Sequence, residues 1–172
     1  MKWLLVLQAL YFFLPAYLAN MSPILFKWLP LFNAPIWEKK LGKHKTWRGL
    51  IIGTVTGIVI FSLQKLAFSK GFQELALIDY GDFSLMLGFF LGLGAMMGDM
   101  VESYLKRKKN IAPGQPWMPW DQLDFVFGGL LLSFLVYVPP VEVVAIIIIL
   151  SPLLHIFFNY FGYFLHLKKN KL

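Results

Sequence analysis

The sequence predicts an all-α, polytopic membrane protein that crosses the bilayer about five times. Apolar residues make up 58% of the 172 positions, against roughly 45–50% in an ordinary soluble domain. Several apolar runs reach the length of about 20 residues that a helix needs to cross a hydrocarbon core of about 30 Å. Little chain remains outside them, so we expect one transmembrane domain over residues 1–172. The predicted spans cover residues 3–26, 50–68, 83–104, 125–138 and 139–166.

The first span resembles a signal peptide at its start, but we interpret it as a membrane helix. Its apolar stretch continues through Leu18 without a small-residue cleavage site. Pro15 and Pro23 interrupt it, and neighbouring helices usually satisfy the carbonyl groups that a proline frees in a membrane helix. The fourth span is short, so we expect its first turn to lie within the preceding loop.

The distribution of basic residues predicts the orientation. Thirteen of the sixteen lysines and arginines lie in residues 27–48, 106–109 and 168–171, which a five-span count puts on one face. The positive-inside rule assigns that face to the cytoplasm. We therefore expect an outside N-terminus, an inside C-terminus, and cytoplasmic loops at about 27–48 and 104–122. Topology and attraction to anionic membrane lipids explain the net charge of +7, which does not indicate nucleic-acid binding.

Glycines at four-residue spacing occur on the second and third spans, as in Gly53 with Gly57 and Gly94 with Gly98. This small-xxx-small pattern lets membrane helices approach closely. We expect it to serve helix packing; the alternative is space for a ligand against bare backbone.

Polar residues gather where the third span ends. Asp99, Ser103 and Lys106 are three or four residues apart, so they share one helical face. Asp99 follows a long apolar run and must lie near the hydrocarbon boundary, where ionisable groups are costly and are functional candidates. The simpler alternative is that Asp99 ends the helix by pairing with Lys106 or with a cation of a loop.

A second acidic pair, Asp121 and Asp124, opens the fourth span. Helix capping explains either carboxylate, but only one residue can occupy the cap. The chain has no cysteine, which excludes disulfides, thiol catalysis and cysteine metal sites. Hard carboxylates suit Mg²⁺, which usually takes one or two of them together with substrate phosphates. Asp99, Asp121 and Asp124 are therefore the predicted Mg²⁺ ligands, either directly or through water.

The loop before the second span carries His44, Lys45, Thr46 and Arg48. Cations, a hydroxyl group and a helix N-terminus together suit a polyphosphate, because the free N–H groups and the helix dipole favour negative charge there. The alternative is a cluster of cations that only sets the topology.

Three of these motifs together resemble those of the archaeal CDP-archaeol synthase family, which is similar in reaction to the CDP-diacylglycerol synthases. They are HKTWRG at 44–49, GDMVESYLKR at 98–107 and DQLD at 121–124, and LPAYLAN at 14–20 fits as well. The resemblance extends over nearly the whole chain, with the motifs in order.

The resemblance implies a membrane cytidylyltransferase of ether phospholipid biosynthesis, with its active site on the cytoplasmic face of the cell membrane. CMP would pass from CTP to an isoprenoid ether lipid phosphate, digeranylgeranylglyceryl phosphate, with release of pyrophosphate and with Mg²⁺ as cofactor. The expected catalytic residues are Asp99, Lys106, Arg107, Asp121 and Asp124. The expected substrate-binding residues are Asn20, His44, Lys45, Thr46, Arg48 and Ser103.

Two other interpretations stay open from the residues. A carrier or flippase for an anionic lipid or phosphate would need ionisable residues near the bilayer midplane and interrupted helices in two related halves. The sequence has no internal repeat, and its polar residues gather at one face, which favours the enzyme. The same chemistry on an ester-linked phosphatidate is equally compatible with the residues.

Overall fold

A computed structural model describes residues 2–112 and 115–164 of the chain. Within these residues there is no strand, and one isolated antiparallel bridge joins Pro35 to Thr46. The predicted all-α class is therefore confirmed. The helices are α1 (Lys2–Leu25), α2 (Glu38–Leu41), α3 (Trp47–Ser69), α4 (Met86–Lys108), α5 (Trp120–Ser133) and α6 (Val141–Phe164).

Five helices correspond to the predicted spans, with shifted ends, while the single turn of α2 was not predicted. Helix α4 continues to Lys108, beyond the predicted end at residue 104. Helix α5 begins at Trp120, inside the preceding loop as expected, and ends at Ser133, before the predicted end at 138. The predicted end of the last span at residue 166 and the basic cluster at 168–171 lie outside the described residues.

Helix α1 is continuous through Pro15 and Pro23, and other groups satisfy the carbonyls that these prolines leave without a helical donor. Pro15 has no N–H for the carbonyl of Tyr11, and the side-chain amide of Gln64 on α3 donates to that oxygen at 2.5 Å. The hydroxyl of Ser22 donates to the carbonyl of Ala19, four residues before Pro23. The expectation that a neighbouring helix supplies a donor is thus met at Pro15.

The glycines predicted to serve packing lie at two close helix crossings. Where α3 crosses α4, a Cβ added at Gly57 would lie 2.6 Å from the Cα of Gly92. Where α4 crosses α5, a Cβ at Gly98 would lie 2.0 Å from the carbonyl oxygen of Asp124. Only bare backbone fits at these positions, so α4 lies against α3 on one side and α5 on the other.

The bundle has two ends with different chemistry. Helices α1 and α3 are long and apolar enough to cross a membrane, over Trp3–Leu25 and Trp47–Ser69. At one end of the bundle α1 and α4 finish and α3 and α5 begin. We call this end the polar end. At the opposite end the ammonium group of Lys65 donates to the carbonyls of Gly81 and Phe83. The predicted site residues lie at or near the polar end.

Candidate active site

Three carboxylates form an acidic cluster between α4 and α5. One oxygen each of Asp99, Glu102 and Asp124 lies within 4.8 Å of the others. Asp99 and Glu102 are three residues apart on α4, so they share a face. Asp124 reaches them because Gly98, next to Asp99, allows the α5 backbone to contact the backbone of α4. The helix crossing therefore positions the cluster.

Lys45 places a cation against this cluster. Its Nζ lies 2.5 Å from Oδ2 of Asp99, and both side chains are largely shielded from solvent. The loop is held in place at this point, since the backbone N–H of Ile36 donates to the Lys45 carbonyl at 2.8 Å. Asp99 therefore pairs with a loop cation, one of the two partners that the simpler alternative named, but the pair does not end the helix, because α4 continues to Lys108.

Lys106 bridges the acidic cluster to Asp121. Its Nζ lies 3.0 Å from Glu102 and 2.7 Å from Asp121, and all three side chains are mostly buried. Burial acts to lower the pKa of Lys106, but its contacts with Asp121 and Glu102 outweigh burial and raise that pKa. Burial acts to raise the pKa of Asp121, and contacts with Glu102, Lys106 and the Trp117 N–H lower it instead. Lys106 and Asp121 therefore stay charged near neutral pH.

Two cavities with charged side chains in their walls adjoin the cluster. The larger, of about 310 Å³, reaches α1, and the smaller, of about 210 Å³, reaches the end of α4. Together they form a chamber whose walls carry both carboxylates and cations, as a site for a metal and phosphates requires. The walls of the larger cavity also include apolar side chains such as Leu50 and Met96. Both cavities are lined by His44, Lys45, Asp99 and Asp121; Asn20 and Thr46 line only the larger, and Ser103, Lys106 and Arg107 line only the smaller.

Several predicted phosphate ligands also hold the protein together. The Thr46 hydroxyl caps α3 by accepting from the Gly49 N–H at 3.2 Å. Arg48 lies outside both cavities, and its Nη1 donates to the carbonyls of Lys27 and Leu29 at 2.9 Å each. These contacts join the loop after α1 to the start of α3.

Two other predicted phosphate ligands, Ser103 and Arg107, form hydrogen bonds to α4 or to the loop that follows it. Ser103 donates to a carboxylate oxygen of Glu102 at 3.3 Å. Arg107 donates to the carbonyl of Ile111 while still lining the smaller cavity. Arg48 is thus the predicted site residue that the structure leaves away from the chamber.

Sequence reasoning gave Glu102 no role, although its side chain belongs to the cluster. The signal was present, because Glu102 follows Asp99 by three residues on the same helix. Asp121, which the sequence predicts as a metal ligand, contacts Lys106 and also accepts from the Trp117 N–H at 2.9 Å. Neither acid occupies the N-cap of α5, which is Pro119 and makes no side-chain cap bond, but Asp121 lies in the first turn of the helix, where an acid complements the helix dipole.

The acidic cluster fits a divalent cation of the Mg²⁺ type. Its donors are hard carboxylate oxygens, which Mg²⁺ prefers. Oxygens bound to one Mg²⁺ at about 2.1 Å lie at most about 4.2 Å apart, so the cluster's spread of 4.8 Å needs a small contraction or a bridging water. The three carboxylates of the cluster and that of Asp121 carry four negative charges, and Lys45 and Lys106 carry two positive ones. The resulting formal charge of −2 is one that a single divalent ion would neutralise.

Comparison with solved structures defines the class of protein. A structure described as an intramembrane enzyme for archaeal membrane lipids biosynthesis matches this chain with a TM-score of 0.68 and 31% sequence identity. The match covers 90% of this chain and 94% of the other. The fold is therefore that of an intramembrane enzyme, and the chain is a membrane protein.

Comparison with sequence families then identifies the family. The CarS-like family, described as CDP-archaeol synthase, matches residues 2–171. A CDP-archaeol synthase from Methanopyrus kandleri is 39% identical over 173 residues, covering 97% of this chain and 94% of the relative. One from Pyrococcus horikoshii is 31% identical over 173 residues, covering 98% of each chain. The chain belongs to the CDP-archaeol synthase family.

Membership confirms the resemblance identified from the three motifs. It also confirms that the protein is an enzyme, a nucleotidyltransferase of the membrane. The alternative of a carrier or flippase is not favoured.

Proposed function

We propose that the chain transfers CMP from CTP to an isoprenoid ether lipid phosphate, giving a CDP-lipid and pyrophosphate. A phosphate oxygen of the lipid attacks the α-phosphorus of CTP and forms the new P–O bond. The bond from that phosphorus to the bridging oxygen breaks, and pyrophosphate leaves with the electron pair. The attacking phosphate is already ionised, so the protein has mainly to position the phosphates and compensate their charge.

The observation that carries this proposal is the acidic cluster beside two cavities whose walls carry cations. The family membership supports CTP and an archaeal lipid phosphate as the substrates. Mg²⁺ bound at Asp99, Glu102 and Asp124 would neutralise phosphate charge and orient the triphosphate. The prediction that Asp121 is itself a ligand stays a prediction, since its contact with Lys106 also suits a residue that positions that lysine.

The cations have distinct places in this proposal. Lys106 and Arg107 line the smaller cavity, and Lys45 stands between the two, so a triphosphate there would meet all three. Ser103 and His44 are available as hydrogen-bond donors in that cavity. In a site shielded from solvent, each cation compensates phosphate charge more strongly than it would in water.

We further propose that the single domain crosses the membrane five times, with the polar end in the cytoplasm. The two predicted cytoplasmic loops, 27–48 and 104–122, connect α1 to α3 and α4 to α5, and both therefore lie at the polar end. They carry ten of the sixteen basic residues, which supports the orientation with an outside N-terminus.

The test of the reaction is transfer of radiolabelled CMP by the purified protein, with and without the ether lipid phosphate. Mg²⁺-dependent formation of labelled lipid is the expected result. Asp99→Asn and Asp124→Asn should each abolish turnover, because asparagine keeps the size but removes the charge that the metal needs. Protein that binds the lipid phosphate yet forms no CDP-lipid with any nucleotide would contradict the proposal.

Comparison of Glu102→Gln with Asp121→Asn separates the metal ligands from the residue that positions Lys106. Loss of a ligand raises the Mg²⁺ concentration needed for half-maximal activity. We expect that increase to be larger for Glu102→Gln. The reverse order would restore Asp121 to the metal site. Glu74→Gln, which removes the same charge from an exposed acid in the connection between α3 and α4, is the matched charge control.

A further inference from the structure

The loop that follows α1 exposes large apolar side chains at the polar end. We call residues 26–37, which connect α1 to α2, the aromatic loop. The exposed fractions of Trp28, Leu31, Phe32 and Trp37 on this loop lie between 52% and 74%. Large apolar side chains that are exposed together mark a surface that contacts a membrane or a partner.

Backbone hydrogen bonds hold the aromatic loop against the start of α3. The N–H of Arg48 donates to the carbonyl of Phe32 at 2.8 Å, and the N–H of Trp47 donates to the carbonyl of Ala34 at 3.2 Å. Phe32 has a φ of 49°, in the left-handed region that a large side chain rarely adopts. Such backbone strain is often stored at functional positions. The ring of Phe32 is therefore exposed by a fixed backbone conformation.

The aromatic loop and α2 also carry exposed cations, Lys27, Lys39 and Lys40. Among the residues that the structure describes, no carboxylate lies within ion-pair distance of any of the three. The only acid between α1 and α3, Glu38, pairs with another lysine at 3.7 Å. The ammonium group of Lys40 lies 4.0 Å from the centre of the Trp37 ring. This surface is therefore both aromatic and positively charged.

The position of the aromatic loop favours lipid as its partner. Helix α1 is long and apolar enough to cross a membrane, and Ile24, Leu25 and Phe26 continue its exposed apolar surface directly into the loop. The loop thus begins where the hydrocarbon ends. Tryptophan is typical of the headgroup level of a bilayer, and lysines beside the membrane attract anionic headgroups.

We propose that the aromatic loop docks on the cytoplasmic leaflet, with its aromatic side chains among the headgroups and its cations against anionic lipids of the bulk membrane. This inference rests on the topology proposed above. The N–H of Ile36 donates to the carbonyl of Lys45 at 2.8 Å, and Lys45 lines both cavities of the chamber. Docking therefore attaches to the membrane the same loop that carries Lys45 into the site.

Fluorescence quenching tests the docking without relying on turnover. The chain has no cysteine, so Phe32→Cys and Leu31→Cys can each carry a single bimane fluorophore in the full-length protein. The vesicles are an equimolar mixture of phosphatidylcholine and phosphatidylglycerol with brominated acyl chains. We expect brominated lipid to quench both probes strongly and acrylamide, a quencher dissolved in water, to quench them weakly.

Lys43→Cys is the matched control, because the Lys43 side chain is 80% exposed and lies beyond α2. Its probe should show the reverse order, with strong quenching by acrylamide and weak quenching by brominated lipid. If acrylamide quenched Phe32→Cys and Leu31→Cys as strongly as Lys43→Cys, the aromatic loop would face water and the proposal would be overturned. The exposed surface would then fit a soluble partner.

The identity of the brominated lipid tests the role of the cations. At equal mole fraction, brominated phosphatidylglycerol should quench the Phe32→Cys probe more than brominated phosphatidylcholine, and added salt should reduce the difference. The combined changes Lys27→Gln, Lys39→Gln and Lys40→Gln should abolish it. Lys70→Gln, which removes an exposed cation at the opposite end of α3, should retain it. Equal quenching by the two lipids with all lysines present would refute anionic headgroups as the partner.

The outcomes separate the docking from the topology and from the reaction. Labelling of Lys43→Cys from the extracellular side would refute the proposed topology and the choice of leaflet, while quenching would still show whether the loop contacts lipid. Protein that docks but forms no CDP-lipid would refute the proposed reaction alone.

Discussion

Gly98 lies where α4 packs against the backbone of Asp124, so a change at Gly98 affects both the helix packing and the acidic cluster. A Cβ at Gly98 would lie 2.0 Å from the carbonyl oxygen of Asp124 and 2.8 Å from its carbonyl carbon. Both are backbone atoms, so no side-chain rotation can relieve the clash. Ordinary contact begins at 3.4 Å, and Gly98→Ala must therefore push the two backbones apart by about 1.4 Å.

That displacement predicts a large loss of activity. It moves Asp124 away from Asp99 and Glu102, although the spread of 4.8 Å among the three oxygens already has to contract to hold one small cation directly. A misplacement of about 1 Å in an active site can lower the rate about 10²-fold. We expect Gly98→Ala to lower kcat by about that factor and to raise the Mg²⁺ concentration needed for half-maximal activity.

The assay is transfer of radiolabelled CMP at saturating substrates across a Mg²⁺ titration, with folding checked by thermal unfolding in detergent. Gly53→Ala is the control, since the nearest atoms to its Cβ belong to the flexible side chain of Met96. It should stay within a few-fold of the wild type. A folded Gly98→Ala protein with more than half the wild-type kcat would refute the link between this helix crossing and the site.

Three further predictions test the metal, the bridging lysine and the topology. Chelation of divalent ions should abolish CMP transfer, and added Mg²⁺ should restore it; full activity in excess chelator would contradict a metal at the cluster. Lys106→Met should destabilise the protein by about 3–5 kcal/mol, because Glu102 and Asp121 lose a shared buried counter-charge; an unchanged unfolding midpoint would argue against this pairing. In oriented vesicles, an impermeant thiol reagent should label Lys43→Cys and Gly71→Cys from opposite sides; labelling from the same side would rule out five spans.

The sequence by itself determined the class of fold and the family. Apolar runs of spanning length require helices, because only a helix satisfies all backbone groups of a single segment in hydrocarbon. The four-residue glycine spacing predicted close crossings, and Gly57 and Gly98 lie at two of them. These features depend on residues near in sequence, so a linear pattern is sufficient to predict them.

Only the tertiary structure decided which charges face one another. Local spacing put Asp99 and Lys106 on one helical face, but the partner of Asp99 is Lys45, 54 residues away. The same spacing paired Asp121 with Asp124, whereas the crossing of α4 and α5 sends Asp124 to the acidic cluster and Asp121 to Lys106. Contacts of this kind depend on how two helices are rotated and separated relative to each other. Backbone contacts at glycines set that geometry in three dimensions, and the periodicity of one helical segment carries no information about it.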